Sequence, residues 1–201
     1  MKGVKQTSKS DVFANELAWI KDPDKREFAR RSLEALPDYF YEVAASSTGK
    51  YHPEYALGTG GLVRHTKAAV AIAQDLLGLE MYGRYTPAEH DNILITLLLH
   101  DGMKHGRDGG KWTVFRHPLD IVDFLTEENF ASEYMSEQDF EQICSGLMSH
   151  MGQWNYDKRS GVTLPKPESA FQKFVHQCDY LASRRYLEVS FDKISYAGDR
   201  V

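Results

Sequence analysis

The sequence predicts an all-α protein, a single helical bundle, on three observations. Apolar residues recur at helical spacing, as Leu62, Ala69, Ile72 and Leu76 do around His65. Helix-start signals are frequent: Asp22-Pro23, Thr86-Pro87-Ala88-Glu89, and Ser136 with Asp139. Strand-like runs are scarce. The 201 residues suffice for one well-filled domain, and 42% apolar with 26% charged residues is ordinary globular composition.

Taken in order, DVFANELAWI reads as a short helix after a polar start. Asp22 and Pro23 open DPDKREFARRSLEAL, with proline at the first helical position. Pro37 starts a further element, PDYFYEVAASS. The turn GTGG (58–61) leads into LVRHTKAAVAIAQDLLG. The Thr86/Glu89 capping box opens a helix that ends at His100-Asp101. His117-Pro118 begins PLDIVDFLTEE, and Ser136/Asp139 begins EQDFEQICSGLMSH. NYDKRSGVTLPKP is a loop with a few extended residues. Glu168 leads into the last long helix, SAFQKFVHQCDYLASRRYLEV. The expected division is an N-terminal helical extension (1–38), a main helical domain (39–190) and a C-terminal tail (191–201).

Composition excludes several functions. A formal net charge of −5 argues against a general nucleic-acid coat protein, while leaving room for a local basic cleft. Cys144 and Cys178 are the only cysteines, so there is no disulfide framework and no CxxC zinc motif. The N-terminus lacks an apolar signal region, and ILITLLL (93–99) is too short to span a bilayer. The expectation is a cytoplasmic protein without a membrane partner.

The histidines carry the chemistry. His65 lies on the inward stripe of its helix, and His100-Asp101 ends an almost wholly apolar one. His150 follows Ile143 and Leu147 on a stripe, and Asp179 sits beside Phe171, Phe174, Val175 and Cys178. His117 precedes a proline at the start of its helix. Any one of these alone is ordinarily a satisfied core residue. Four imidazoles and two carboxylates converging in one core are costly without cations. Divalent metals resolve that cost, since neutral imidazole and carboxylate are their usual ligands.

The order His65, His100-Asp101, His117, His150, Asp179 resembles the HD-domain phosphohydrolase superfamily, in its six-ligand, two-metal type. YHPEYALGTGGLVRHT, LLLHDGMKHG, MSHMGQW and PKPESAFQKFVHQCDYLA are similar to segments of the HD domain of bacterial 3′–5′ exoribonucleases. The similarity covers residues 40 to 187. It implies that 39–190 is an HD domain and that His65, His100, Asp101 and Asp179 hold a first metal. Asp101 would bridge to a second held by His117 and His150. Mn, Fe, Mg, Ni and Co all suit such ligands, and the sequence does not choose among them. Such metals activate a water for attack on phosphorus. Lys104 matches the lysine of the HDxxK motif and is expected to meet a phosphate oxygen. Asp101 and Lys104 are thus the expected catalytic residues.

Arg107, Lys111 and Arg116 beside Trp112, and Trp154 near Lys158 and Arg159, offer bases and aromatic faces. A nucleobase and its phosphates could use them, and Arg107, Lys111 and Trp154 are the expected substrate-binding residues beside Lys104. Arg184 and Arg185 fall beyond Asp179. His176 is expected beside the ligands or in the core, His52 and His105 along the cleft, and His90 at a helix start.

The chain departs from the family in three ways. HDGMK replaces the commoner HDIGK, and Met151 stands where a second histidine often follows His150. Fewer than about 40 residues precede the similarity, so the exoribonucleases' upstream OB-type domain is not expected here. The expected substrate is therefore a nucleotide or short oligonucleotide, and no obligatory protein partner is evident. The alternatives are an HD-type diiron oxygenase using the same six ligands, and a non-catalytic nucleotide-binding module.

Overall fold

The structure, a computed structural model, describes residues 8–46 and 48–187. Its centre is the helix α5 (Pro87–Leu99). Every residue from Asp91 to Leu99 is buried, because apolar side chains leave this helix on all sides. Ile93, Leu94, Ile95, Leu97, Leu98 and Leu99 together supply its packing, at roughly 1.5–3 kcal/mol for each fully buried side chain. Around it stand α2 (Pro23–Ala35), α4 (Gly61–Leu77), α7 (Glu137–Ser149) and α8 (Ala170–Ala182), all in contact with it. α6 (His117–Glu128) packs on α7, and the short α1 (Ala14–Trp19) and α3 (Tyr39–Glu42) close the N-terminal side. The protein is all-α. Among the described residues no strand forms, and the expected extended residues are one isolated bridge, Tyr156 to Thr163.

The start signals act as their chemistry dictates. Asp22 accepts from the amides of Asp24 and Lys25 at the head of α2. Thr86 and Glu89 bond reciprocally at the head of α5, and Ser169 with Gln172 does the same for α8. Ser136 accepts from the Asp139 amide to open α7. The N-terminal residues Phe13, Leu17, Phe28 and Leu33 belong to the same apolar core as Leu62, Ile93 and Phe174. One buried polar knot joins three helices. Asn92 on α5 accepts from Lys25 (2.9 Å) and donates to Asp139 and Gln142 (both 2.8 Å), while Lys25 also meets Asp139 at 2.9 Å.

Three elements are shorter than their pattern predicts. DVFANELAWI divides into a 3₁₀ turn, Lys9–Phe13, and α1. PDYFYEVAASS is helical only over Tyr39–Glu42, because its following backbone is used elsewhere. The Glu42 and Val43 carbonyls accept from Gly60 and Leu62 (both 2.9 Å), and the Ala45 amide donates to Ala56. Those bonds fix the start of α4 and with it His65. The last helix stops at Ala182, short of the expected run, and residues 188–201, including the expected tail, lie outside the described residues. No helix of the described residues is long and apolar enough to cross a membrane.

Candidate metal centre

Five helices bring six side chains to one place. α4 supplies His65, the C-terminal end of α5 supplies His100 with Asp101 following, and α6 begins at His117. His150 caps the end of α7, and Asp179 lies in the last turn of α8. The partly negative C-terminal ends of α5 and α7 both meet here, which favours a cation between them. His65, His100, Asp101, His117 and His150 are all buried.

The six fall into two triads that could each hold a metal ion: His65, His100 and Asp179, and Asp101, His117 and His150. In the first, His65 Nε2 lies 3.0 Å from Asp179 Oδ1 and 3.3 Å from His100 Nε2. In the second, His117 Nε2 lies 3.1 Å from Asp101 Oδ1 and 3.2 Å from His150 Nε2. Asp101 touches both. Its Oδ1 faces the second triad, and its Oδ2 lies 3.4 Å and 3.6 Å from the Nε2 atoms of His100 and His65.

One local rule sets three of the rings. Nδ1 of His100, His117 and His150 each lies 2.7 Å from the carbonyl three residues earlier, of Leu97, Val114 and Leu147. A carbonyl cannot donate, so each Nδ1 carries a proton, and Nε2 is the atom each ring turns toward the other ligands. Nε2 of His117, Nε2 of His150 and Oδ1 of Asp101 therefore face one another, and with both rings neutral they are three acceptors without a donor. A cation, or an added proton, resolves that clash. With imidazoles and carboxylates and no thiolate, the donor set fits a divalent metal of the harder kind.

Burial lowers the pKa of His100, but the Asp101 and Asp179 carboxylates outweigh it and push it up to about 10. Burial and the neighbouring His117 and His100 push His150 down to about 3, so that it stays neutral. Burial alone would raise Asp101, yet Lys104, His100 and His117 hold it well below the usual carboxylate range. Asp179 is likewise held low by His100 and His65 against its burial. His52, packed edge-on against His65, is pushed down to about 3, mostly by burial.

A cavity of about 700 Å³ opens onto the triads. Lys104 is in its wall, with Nζ 2.5 Å from Asp101 Oδ2, so its charge is already engaged with the shared carboxylate. Trp154 and Trp112 also line it, as do His52 and His176. Arg107 does not: its guanidinium pairs with Glu127 at 2.5 and 2.8 Å. Arg116 is held by Asp120 and Asp123, and the exposed Lys111 lies over the Trp112 ring rather than in the wall. Lys158, Arg159 and Arg185 are not in the wall either. His105 is buried and stacks on Tyr39, and His90 sits in the first turn of α5. Tyr180 and Tyr51 are wall residues that sequence reasoning passed over. For Tyr180 a signal existed, since it lies four residues after His176 on one face of α8. No protein-family model, curated protein or solved structure matches the chain.

Proposed function

We propose that the chain is a metal-dependent phosphohydrolase of the HD-domain superfamily, of the two-metal type, cleaving a phosphoester of a nucleotide or short nucleic acid. The supporting observation is the shared carboxylate: Asp101 turns one oxygen to His65 and His100 and the other to His117 and His150. Divalent metals held by these six residues would activate a water and neutralise charge growing on phosphorus. The remaining work belongs to the chain. The three Nδ1–carbonyl bonds hold His100, His117 and His150 in the tautomer a metal requires. Lys104 stands at the cavity wall, where its ammonium can move between Asp101 and a phosphate oxygen.

The test is a panel of mononucleotides, dinucleotides, cyclic nucleotides and short oligonucleotides, run metal by metal on purified protein. At least one ester should be hydrolysed, with turnover lost on chelation and restored by manganese under anaerobic conditions. The same ligands suit two irons, so turnover that strictly requires iron and oxygen would replace this reading with the diiron oxygenase. Binding without turnover in any arm would leave a nucleotide-binding module.

A further inference from the structure

Trp154 is 46% exposed, yet it is held in place from several directions. Its ring stacks on Tyr180 at 5.7 Å and 10°, and its edge meets His176 at 6.2 Å. Its amide donates to the Met151 carbonyl. The turn before it depends on Gly152, at φ 61, where a Cβ would stand 2.2 Å from the His176 ring. Only glycine allows both that backbone and that imidazole.

The stack is also tied to the triads. His176 Nδ1 donates to the His150 carbonyl at 2.6 Å, and Tyr180 directly follows Asp179 in α8. Arg184 lies over Tyr180 at 4.3 Å and within 5.9 Å of the Trp154 ring, and donates to Ser183 Oγ. Among the described residues it forms no ion pair. Trp154, Tyr180 and Arg184 line the same cavity as Asp101, His117 and His150.

A half-exposed tryptophan beside a guanidinium that forms no ion pair among the described residues suits a planar, electron-rich ring. We propose that the Trp154–Tyr180 stack, with Arg184 beside it, receives the base of a nucleotide and selects base-bearing phosphoesters over plain sugar phosphates. The proposal rests on the phosphohydrolase reading only for the phosphate end of the ligand. Every base has a flat face, so the stack accepts purines and pyrimidines alike. Its attachment to His150 and Asp179 sets the distance from base to phosphate, a positioning effect.

The test is equilibrium binding of AMP, UMP and ribose 5-phosphate to the full, manganese-loaded chain and its variants. The wild type should hold both nucleotides at least about tenfold more tightly than ribose 5-phosphate. Trp154→Ala should weaken the nucleotides by roughly 5- to 150-fold and leave ribose 5-phosphate unchanged, while Trp154→Phe keeps most of the preference. Circular dichroism checks that the variants fold, and Trp154→Leu, which fills the site without an aromatic face and should lose the preference likewise, carries the test if Trp154→Ala does not fold. Equal binding of the three ligands, no binding of any, or undiminished preference in Trp154→Ala overturns the proposal. Intact preference without metal-dependent turnover supports this subsite while removing the hydrolase reading, so the two failures are separable.

Discussion

Asp101 is a buried carboxylate at the cavity wall, with Lys104 on one oxygen and His117 on the other. Because both triads depend on it, Asp101→Ala should lose bound metal at both, together with turnover; elemental analysis showing undiminished metal would refute its bridging place. His117→Ala and His150→Ala should instead deplete mainly one metal. Lys104→Ala should keep the metals, since lysine is not a ligand, but lose turnover by about 30- to 1000-fold, the equivalent of roughly 2–4 kcal/mol of transition-state stabilisation. Wild-type kcat in that variant would remove Lys104 from the phosphate role. His100 sets the pH dependence. Its pKa of about 10 in the metal-free site lies above the ordinary 6.5, so its contribution to metal-free stability is full below pH 6.5 and lost as pH rises through 10. A metal needs His100 neutral, so uptake at pH 7–8 should release a proton, and affinity should climb with pH toward 10. Calorimetry in buffers of different ionisation enthalpy measures that proton, and zero release would contradict the assignment.

At the scale of elements, the site depends on how closely α7 approaches α5 and α8. Gly146 makes that approach possible, since a Cβ there would stand 2.9 Å from both Thr96 and Phe171. Gly146→Ala should push α7 outward, cost about 1–3 kcal/mol in denaturant unfolding, and reduce metal at the triad containing His150. Unchanged stability and metal content would mean the helices have slack there. Helix beginnings were legible because they are local chemistry: the Thr86/Glu89 box sits where the sequence put it, and His100 and Asp101 follow at the other end. Ends set by distant partners were not. PDYFYEVAASS loses its helix to backbone bonds with Gly60 and Leu62, and α8 stops before Arg185, whose amide donates to the Tyr51 carbonyl. The six candidate ligands were legible from order and stripe position, whereas the cavity wall was not. Arg107 is drawn to Glu127, twenty residues away, and no local pattern announces that pair. The Arg116–Asp120 pair, at helical spacing, could have been read.

For the whole molecule, the burial of so many candidate ligands in one core means that any metal they hold would be coupled to folding. Ligands that bind only the folded state raise its stability, by about 2.7 kcal/mol at a hundredfold excess over Kd. Chelation should therefore lower Tm, and manganese should restore it in step with occupancy; a Tm indifferent to chelator would show that added protons alone satisfy the core. The most direct measurement is the number of ions bound per chain after chelation and reconstitution with manganese, by elemental analysis on protein freed of loosely held metal. Two ions per chain are expected, one for each triad. None retained, with the fold intact, would contradict the metal centre.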